Sequence, residues 1–297
     1  MTDFDTLHRF TFTDAPVRGE LVRLKDSLQT MLGNADYPAE IKTLMAELAS
    51  AAALLTATLK FEGEISLQIQ GKGAVNYAIV SADHKLNYRG IARWDESMQT
   101  LPQSFSELCA DSVLVITITP NEGERYQGVV ALDKPTLAAC LENYFLQSEQ
   151  LLTKVYLFEQ TDNETASAGF MLQVLPSSAA VTATEDADDF HHFTALADTL
   201  TAEEILSLPV KTVLHRLYHE HDITLFESQP IAFKCTCSKD RSATALLNVE
   251  KDELLAIVEE EGCITMNCQY CHTEYRFDAI DVEAIHNGAA AGGSSAH

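Results

Sequence analysis

The 297-residue sequence has few basic residues, a single tryptophan and no long hydrophobic run. Only 20 lysines and arginines stand against 44 aspartates and glutamates, which gives a formal net charge of −24. Because a field of that sign repels phosphate groups, the composition argues against nucleic acids and anionic membranes as partners. No stretch approaches the ~18 uninterrupted apolar residues of a membrane-spanning helix.

Common catalytic and nucleotide-binding motifs are also absent. Gly71-Lys72-Gly73 lacks the further glycine and the following helix of a phosphate-binding loop, and neither HExxH nor GxSxG occurs. The first residues are acidic and lack the basic segment and apolar run of a signal peptide. We therefore expect a cytoplasmic protein, in which thiols are reduced and clustered cysteines indicate metal binding or redox chemistry rather than structural disulfides.

Four of the seven cysteines form two close pairs in the C-terminal part of the chain. One residue separates the members of the first pair, two residues separate those of the second, and thirty residues lie between the pairs. Two such pairs can converge on one tetrahedral ion, and four thiolates favour zinc. We therefore predict one Zn²⁺ per chain, bound by four ligands: Cys235, Cys237, Cys268 and Cys271.

The chemistry of such a site leaves two roles open. Zinc with four thiolate ligands has no free coordination position, so the site is structural unless its ligands react. Thiolates are the oxidisable form of cysteine, and each ligand has a potential disulfide partner two or three positions away. Oxidation would form disulfides Cys235–Cys237 and Cys268–Cys271, expel the ion and unfold a small domain. The residues alone are compatible with structural zinc and with a redox switch.

The remaining cysteines are predicted to be buried. Cys109 and Cys140 are isolated in segments with an apolar bias, where cysteine behaves as a small hydrophobic residue. Cys263 precedes Cys268 by five positions and is predicted to be a buried strand residue. The alternatives for Cys263 are a surrogate metal ligand and a site of incorrect disulfides.

Residues 1–176 are predicted to form an α+β core domain. Apolar residues at helical spacing predict helices at 17–32, 38–60 and 135–149, the last with Pro135 in its first turn. Alternating patterns predict a hairpin at 65–79 and strands at 86–92, 113–119, 126–132, 154–160 and 168–175. Because short turns join these strands and regular βαβ units are absent, we expect an antiparallel sheet with packed helices.

Residues 177–230 are predicted to form a metastable helical linker. The small, polar and acidic residues of 176–190 mark its start, and Thr201 and Glu204 have the spacing of a capping box. Ten acidic residues stand against Lys211 and Arg216. Helices with narrow apolar stripes and this much unbalanced charge should be only marginally stable alone. They should need packing surfaces on the domains at either end of the linker.

The linker also carries five of the ten histidines. They are predicted to lie on solvated helix surfaces. The alternative is that His219 and His221 act as additional metal ligands, although four thiolates already complete a tetrahedral set.

Residues 231–287 are predicted to form the zinc domain, followed by a flexible tail at 288–297. Helices are expected at 239–247 and 250–261, the second ended by Gly262. Short strands are expected on both sides of the Cys268–Cys271 pair, at 264–266 and 274–277. Strand, CxxC turn and strand is the arrangement typical of zinc-ribbon-like sites.

Taken whole, the sequence resembles the heat-shock protein 33 family of redox-regulated 33 kDa chaperonins. The most specific feature is the CxC-x30-CxxC arrangement. Four further segments of the chain support the resemblance: Arg18-Gly19-Glu20 followed by Val22-Arg23-Leu24, Leu54 to Gly63, Tyr126-Gln127-Gly128, and Tyr144 to Gln150.

The resemblance implies a cytoplasmic, ATP-independent holdase rather than an enzyme. Such a protein is inactive when reduced and zinc-bound. Under oxidative stress it forms two disulfides, releases zinc, unfolds its linker, forms a homodimer and binds unfolding client proteins. The family's zinc ligands fall on the four paired cysteines of this chain, whereas Cys263 is not part of the motif.

Two other functions compete with this interpretation. A zinc-ribbon nucleic-acid binder would need a basic surface, but residues 231–287 contain five basic residues against eleven acidic ones. A thiol–disulfide oxidoreductase would use Cys268 and Cys271, but a thioredoxin-like enzyme places its CxxC at a helix start. Here, strands are predicted on both sides.

Overall fold

The computed structural model describes residues 3–160, 165–175 and 185–287, which form two compact units. The first unit extends to Lys234, and the second begins at Cys235. The finer division into a core at 1–176, a linker at 177–230 and a zinc domain at 231–287 stays a prediction. The predicted tail at 288–297 lies outside the described residues.

The first unit is built from strands and helices with the following bounds. Its described strands are β1 (Thr6–Phe12), β2 (Val17–Leu24), β3 (Gly63–Gly71), β4 (Val75–Asp83), β5 (Asn87–Trp94), β6 (Ser112–Pro120), β7 (Tyr126–Ala131), β8 (Thr153–Gln160), β9 (Ala166–Val174), β10 (Ile223–Leu225), β11 (Gln229–Pro230) and β12 (Ala232–Phe233). Its described helices are α1 (Asp26–Leu32), α2 (Ala39–Thr56), α3 (Phe105–Leu108), α4 (Leu137–Tyr144), α5 (Glu185–Ala197), α6 (Ala202–Ser207) and α7 (Val210–Tyr218).

Two six-stranded sheets organise this unit in the described part of the chain. The first has the order β10-β1-β2-β9-β8, with β11 also pairing with β1, and the second has the order β12-β5-β4-β3-β6-β7. Neighbouring strands are antiparallel except for the short parallel pair of β12 and β5. The predicted antiparallel α+β fold is therefore confirmed, with two sheets in place of one.

Helix α2 packs between the two sheets. It contacts strands of both, and its buried residues lie on all sides, including the run Ala51–Thr56. A helix that is apolar all round belongs in the interior of a protein, and small alanine side chains allow close approach on both sides. Helices α5, α6 and α7 cover the opposite face of the first sheet. The layers of the first unit are therefore, in order, the second sheet, α2, the first sheet, and helices α5 to α7.

The predicted helix at 17–32 is wrong over its first half, where the chain forms β2. Because β2 is covered on both faces, Leu21 points into one apolar cluster and Leu24 into the other. A strand with buried apolar residues on both faces lacks the alternation of apolar and polar residues that identifies a strand. Leucines three residues apart then have the spacing of a helix. Gly19 lies opposite Phe10, whose ring would collide with any side chain at this position.

The other predicted elements agree with the structure apart from their ends. Helix α2 and the strands β3 to β9 are confirmed. Helix α4 begins after Thr136, whose hydroxyl accepts a hydrogen bond from the Ala139 N–H, so Pro135 precedes the helix. The helix continues as a π-helical turn over Phe145–Glu149.

The middle region, α5 to α7, obtains its packing surface from the first sheet. Phe190, Phe193 and Tyr218 lie in one buried cluster with sheet residues such as Phe10 and Phe170. This cluster provides a surface that the predicted linker needs.

Hydrogen bonds also join the middle region to the first sheet. The buried Arg23 guanidinium of β2 donates to the Leu208 carbonyl at 2.6 Å. The Tyr156 hydroxyl of β8 donates to the Asp198 carboxylate at 2.7 Å and lies 3.1 Å from the Thr194 carbonyl oxygen.

The second unit is small. Its described elements are α8 (Lys239–Leu246), α9 (Lys251–Glu261), β13 (Ile264–Asn267), β14 (Glu274–Phe277) and α10 (Ala279–His286). The antiparallel pair β13–β14 and both predicted helices are confirmed, whereas α10 was not predicted. Gly262 ends α9 with a φ of 85°, a left-handed conformation that glycine adopts at low cost.

Helix length and hydropathy bear on membrane insertion. None of the helices in the described ranges combines the length and apolar character that crossing a bilayer requires.

Candidate metal centre

The four predicted ligand cysteines lie together in the second unit. Their sulfur atoms are all within 4.8 Å of one another, and no other such group of His, Cys, Asp or Glu ligands occurs among the described residues. The shortest sulfur–sulfur distances are 3.6 Å, between Cys235 and Cys268, and 3.4 Å, between Cys237 and Cys271. All four are free thiols of intermediate burial.

Two chain segments bring these thiols to one point. Cys235 and Cys237 lie in the stretch that enters α8, whose N-cap Ser238 accepts a hydrogen bond from the Arg241 N–H. Cys268 and Cys271 lie in the turn between β13 and β14. The turn is closed by hydrogen bonds from the Cys268 N–H to the Thr273 carbonyl and from the His272 N–H to the Cys268 carbonyl.

The sulfur arrangement fits a tetrahedral zinc ion. Four sulfur atoms bound at about 2.3 Å from one ion lie roughly 3.8 Å apart, which falls between the shortest distances and the 4.8 Å limit of this cluster. Soft, charged sulfur donors in this geometry are the ligand set of structural zinc sites. The cluster can therefore hold a metal ion in a closed, four-coordinate site.

Hydrogen bonds to the sulfur atoms favour the thiolate at one ligand in particular. Desolvation acts to raise the pKa of Cys271, but hydrogen bonds from Thr273 and from the neighbouring cysteines outweigh it and lower the pKa to about 6. Burial instead raises the pKa of Cys235 to about 12. Cys271 and Cys235 therefore ionise unequally in the absence of metal, and a bound cation would favour the thiolate form of its ligands.

Two residues around the ligands were not identified from the sequence. The Tyr275 hydroxyl donates to the Cys237 sulfur at 3.0 Å, and the Thr273 hydroxyl lies 3.2 Å from the Cys271 sulfur. Hydrogen bonds of this kind orient metal ligands and adjust their charge. The available signal was the strand pattern after Cys271, which could have placed Tyr275 beside the site.

The other cysteines do not join the cluster. Cys109 and Cys140 are buried in the first unit, as predicted, and burial raises the pKa of both thiols. Cys263 precedes β13 and is half-buried, so its prediction as a buried strand residue is wrong. The reason is local: Cys263 follows the left-handed Gly262 and is reached before strand pairing begins.

The position of the CxxC pair also bears on the oxidoreductase alternative. Cys268 and Cys271 lie between two strands of a two-stranded sheet, not at a helix start. This arrangement does not support a thioredoxin-like active site.

Comparison with known proteins identifies the family. The family model described as "Hsp33 protein" matches residues 5–278, which is almost the whole chain. The chain belongs to the Hsp33 family. Membership supports a chaperone role, with which the four-cysteine cluster is compatible as a redox-related metal site.

This chain is similar to individual relatives over nearly their full length. A 33 kDa chaperonin of Pseudoalteromonas atlantica is 56% identical over 289 residues, which is 97% of each chain. A 33 kDa chaperonin of Shewanella baltica strain OS155 is 50% identical over 282 residues, 95% of each chain. The crystal structure of a 33 kDa chaperonin from Thermotoga maritima, 20% identical, covers 97% of this chain and 99% of its own, with a TM-score of 0.80. The fold is thus an Hsp33 fold.

Proposed function

We propose that the chain is a redox-regulated, ATP-independent holdase of the cytoplasm, inactive when reduced and zinc-bound. The observation that supports this most directly is a four-thiol cluster within a unit whose described apolar core contains only seven buried side chains. A unit with so small a core depends on its metal. Oxidation of the ligands therefore removes a large part of what keeps the unit folded.

The chemical step is oxidation of zinc-bound thiolates by a strong oxidant such as hypochlorite, or by peroxide at elevated temperature. Each disulfide forms from two cysteine sulfurs that together lose two electrons to the oxidant. A disulfide sulfur is a poor zinc ligand, so the ion leaves. Because metal binding contributes on the order of 10 kcal/mol to folding of such domains, the second unit then unfolds.

The pairing Cys235–Cys237 and Cys268–Cys271 follows from chain proximity, not from the shortest sulfur distances in the folded cluster. Those distances join Cys235 to Cys268 and Cys237 to Cys271. Once zinc leaves and the unit unfolds, loop closure favours partners two or three positions apart over partners more than thirty positions apart. We therefore propose local pairing as the product of coupled oxidation and unfolding.

Unfolding can pass along the chain into the middle region. The segment that leads to Cys235 is held by β10, β11 and β12, which contain only two or three residues each. Release of this segment removes a neighbour of α7 and promotes separation of the middle region from the first sheet. The apolar residues of that interface then become available to unfolding client proteins and to a second copy of the chain, which gives the proposed homodimer.

The net charge of −24 fits a protein that stays soluble with exposed apolar surface, and it argues against nucleic acid and anionic membranes as partners. Residues 231–287 have eleven acidic residues against five basic ones, so a zinc-ribbon nucleic-acid binder is a weaker proposal. We propose no ATP requirement and no catalytic turnover.

The test follows zinc, thiols and chaperone activity together. Reduced protein is exposed to hypochlorite, and bound zinc, free thiols, disulfide connectivity and suppression of aggregation of a denatured test protein are measured over time. We expect one zinc to leave as four thiols disappear, together with a gain in suppression. Equal suppression by the reduced and oxidised forms would disprove the proposal.

Two cysteine variants separate the site from general thiol effects. Cys268→Ser should abolish regulated switching because it removes one ligand and one disulfide partner. Cys263→Ser is the matched control, since Cys263 lies outside the ligand cluster, and it should switch like the wild type. Disulfides linking Cys235 to Cys268 would reject the local pairing while leaving the redox proposal intact.

A further inference from the structure

A histidine pair in the first unit has a geometry that the proposed chaperone mechanism does not use. The Nε2 atoms of His192 and His221 lie 3.2 Å apart. His192 belongs to α5, and His221 lies between α7 and β10. The sequence left His219 and His221 open as additional ligands of the four-cysteine site, but neither belongs to that cluster among the described residues.

The distance between the two nitrogens fits coordination of one ion. Two imidazole nitrogens bound at about 2.0–2.1 Å to a tetrahedral ion lie roughly 3.3 Å apart. A hydrogen bond between the rings gives a similar distance, so the distance alone does not distinguish the two arrangements.

A carboxylate fixes which nitrogen of His221 is available. Nδ1 of His221 lies 3.2 Å from Oδ2 of Asp14. A carboxylate only accepts hydrogen bonds, so Nδ1 carries the proton and donates. In neutral His221, Nε2 therefore holds its lone pair towards His192. Carboxylate, histidine and metal in this order is a recurrent arrangement at metal sites, in which the carboxylate orients the ring and strengthens it as a ligand.

Packing holds the His221 ring in place before any ion binds. Its ring forms a T-shaped contact with the ring of the buried Phe193, at a centroid distance of 4.8 Å and an interplanar angle of 88°. Its backbone N–H donates to the Tyr218 carbonyl, and β10 follows directly, paired with β1. The Thr13 N–H also donates to the Asp222 carbonyl. This hydrogen bond holds the β1–β2 connection, which contains Asp14, beside His221.

We propose that His192 and His221 bind one divalent ion of the class that prefers imidazole, such as Zn²⁺, with Asp14 as the positioning residue for His221. Among the described residues, no third His, Cys, Asp or Glu offers a ligand atom within 4.8 Å of both nitrogens, so water completes the coordination. Two protein ligands make this site weaker than the four-cysteine cluster. The ion would connect α5, the segment after α7 and the connection between β1 and β2.

The test is titration of the reduced full-length protein, already carrying one equivalent of zinc, with further Zn²⁺. Calorimetry measures the binding, and ¹⁵N spectra of the histidine rings identify which nitrogens respond. We expect one further equivalent to bind, with the Nε2 signals of His192 and His221 shifted. His192→Gln and His221→Gln should each abolish this binding, and Asp14→Asn should weaken it roughly tenfold.

Two control variants locate the ion among the many histidines. His191→Gln changes the adjacent exposed residue of α5 and should bind like the wild type. The double variant His215→Gln/His219→Gln removes the i, i+4 pair at the end of α7 and should also bind like the wild type. Loss of binding in that double variant, or no further equivalent in the wild type, would overturn the proposal.

Misfolding is separated from ligand loss by His192→Gln, because His192 is exposed on α5. At one zinc equivalent its melting temperature should equal that of the wild type. Added Zn²⁺ should then raise the melting temperature of the wild type only. Equal increases in both proteins would reject the site. The proposed site at His192 and His221 is tested by these variants and not by the cysteine cluster. Failure of the redox proposal would therefore leave the histidine site unaffected.

Discussion

The two compact units differ in what keeps them folded. The first has two large apolar clusters spread over sheets and helices, with interior residues such as Leu24, Ile41 and Phe170 fully buried. The second has one described cluster of seven buried side chains together with four thiols that can hold a metal ion. Apolar burial therefore accounts for the first fold, whereas the second needs a further contribution, because short chains bury too little surface. Loss of a bound metal ion should therefore destabilise the second unit and leave the first folded. Loss of a buried side chain should destabilise whichever unit contains it.

The largest expected effect is that of metal removal. Chelation of zinc from the reduced protein should unfold residues 235–287, since metal binding contributes on the order of 10 kcal/mol to such domains. The first unit should stay folded. Hydrogen exchange would show loss of protection in α8 to α10 and retained protection in α2. Retained protection in both units would contradict the comparison.

A matched core truncation in each unit should give the next largest effect. Phe170→Ala in the first unit and Phe277→Ala in the second both remove a buried ring, and each should cost about 3–5 kcal/mol. Because the second unit has so small a core, Phe277→Ala should weaken zinc binding, whereas Phe170→Ala should leave it unchanged. A zinc-sensitive dye reports the second unit, and fluorescence of the single tryptophan, Trp94, reports the first. Equal zinc affinity in both variants would contradict the expected coupling between the apolar core of the second unit and its metal site.

The first unit is large enough to contain poorly solvated carboxyl groups, which should give a smaller, pH-dependent effect. Burial, reinforced by the nearby Glu159 carboxylate, raises the pKa of Glu47 to about 8 from its ordinary 4.5. Between these values the folded protein retains a proton that the unfolded chain releases, so the free energy of unfolding falls as pH rises, and above pH 8 the loss is complete.

Glu47→Gln should therefore stabilise the first unit at pH 9 by on the order of 2 kcal/mol and have little effect near pH 4. Urea unfolding at both pH values, followed by Trp94 fluorescence, measures this. Glu96→Gln is the matched control, because it makes the same substitution at an exposed side chain. A variant destabilised at pH 9 would contradict the assigned sign.

The smallest effect concerns the start of α6. The Thr201 hydroxyl accepts a hydrogen bond from the Glu204 N–H, and the Glu204 carboxylate accepts one from the Thr201 N–H. Thr201→Ala should cost about 1 kcal/mol, seen as faster hydrogen exchange in α6. Thr199→Ala is the control, because the Thr199 hydroxyl donates to the Leu196 carbonyl of α5, and α6 should exchange as in the wild type. Unchanged exchange in Thr201→Ala would show that packing on the first sheet alone fixes this helix.

The sequence was most informative where a local rule applies. Cysteine spacing predicted the ligand cluster, because two close pairs can converge on one ion whatever the detailed fold. Gly262 and the Thr201–Glu204 box marked helix ends, because capping involves only a few adjacent residues. The alternating pattern of β3 and β4 predicted a hairpin for the same reason.

The sequence failed where burial on two faces or distant pairing decided the structure. Strand β2 imitated a helix because both of its faces are buried and each carries apolar residues. The short strands β10 to β12 were not predicted, since their partners β1 and β5 lie far along the chain. Strand β1 was not predicted either, because its hairpin partner β2 has the residue spacing of a helix. Tyr275 was not recognised beside the cluster because its contact is with Cys237, which lies 38 positions away on the segment before α8.

By itself, then, the sequence indicated which four cysteines lie together in a cluster that could hold a metal ion, since ligand type and spacing are local properties. Tertiary structure decided that the chain forms two sheets, that α5 to α7 pack on the first of them, and that the cysteine unit has only a small apolar core. It also decided that His221 lies within hydrogen-bond distance of His192 and Asp14. These features depend on contacts between residues far apart in the chain, and such contacts have no signature in local composition or periodicity.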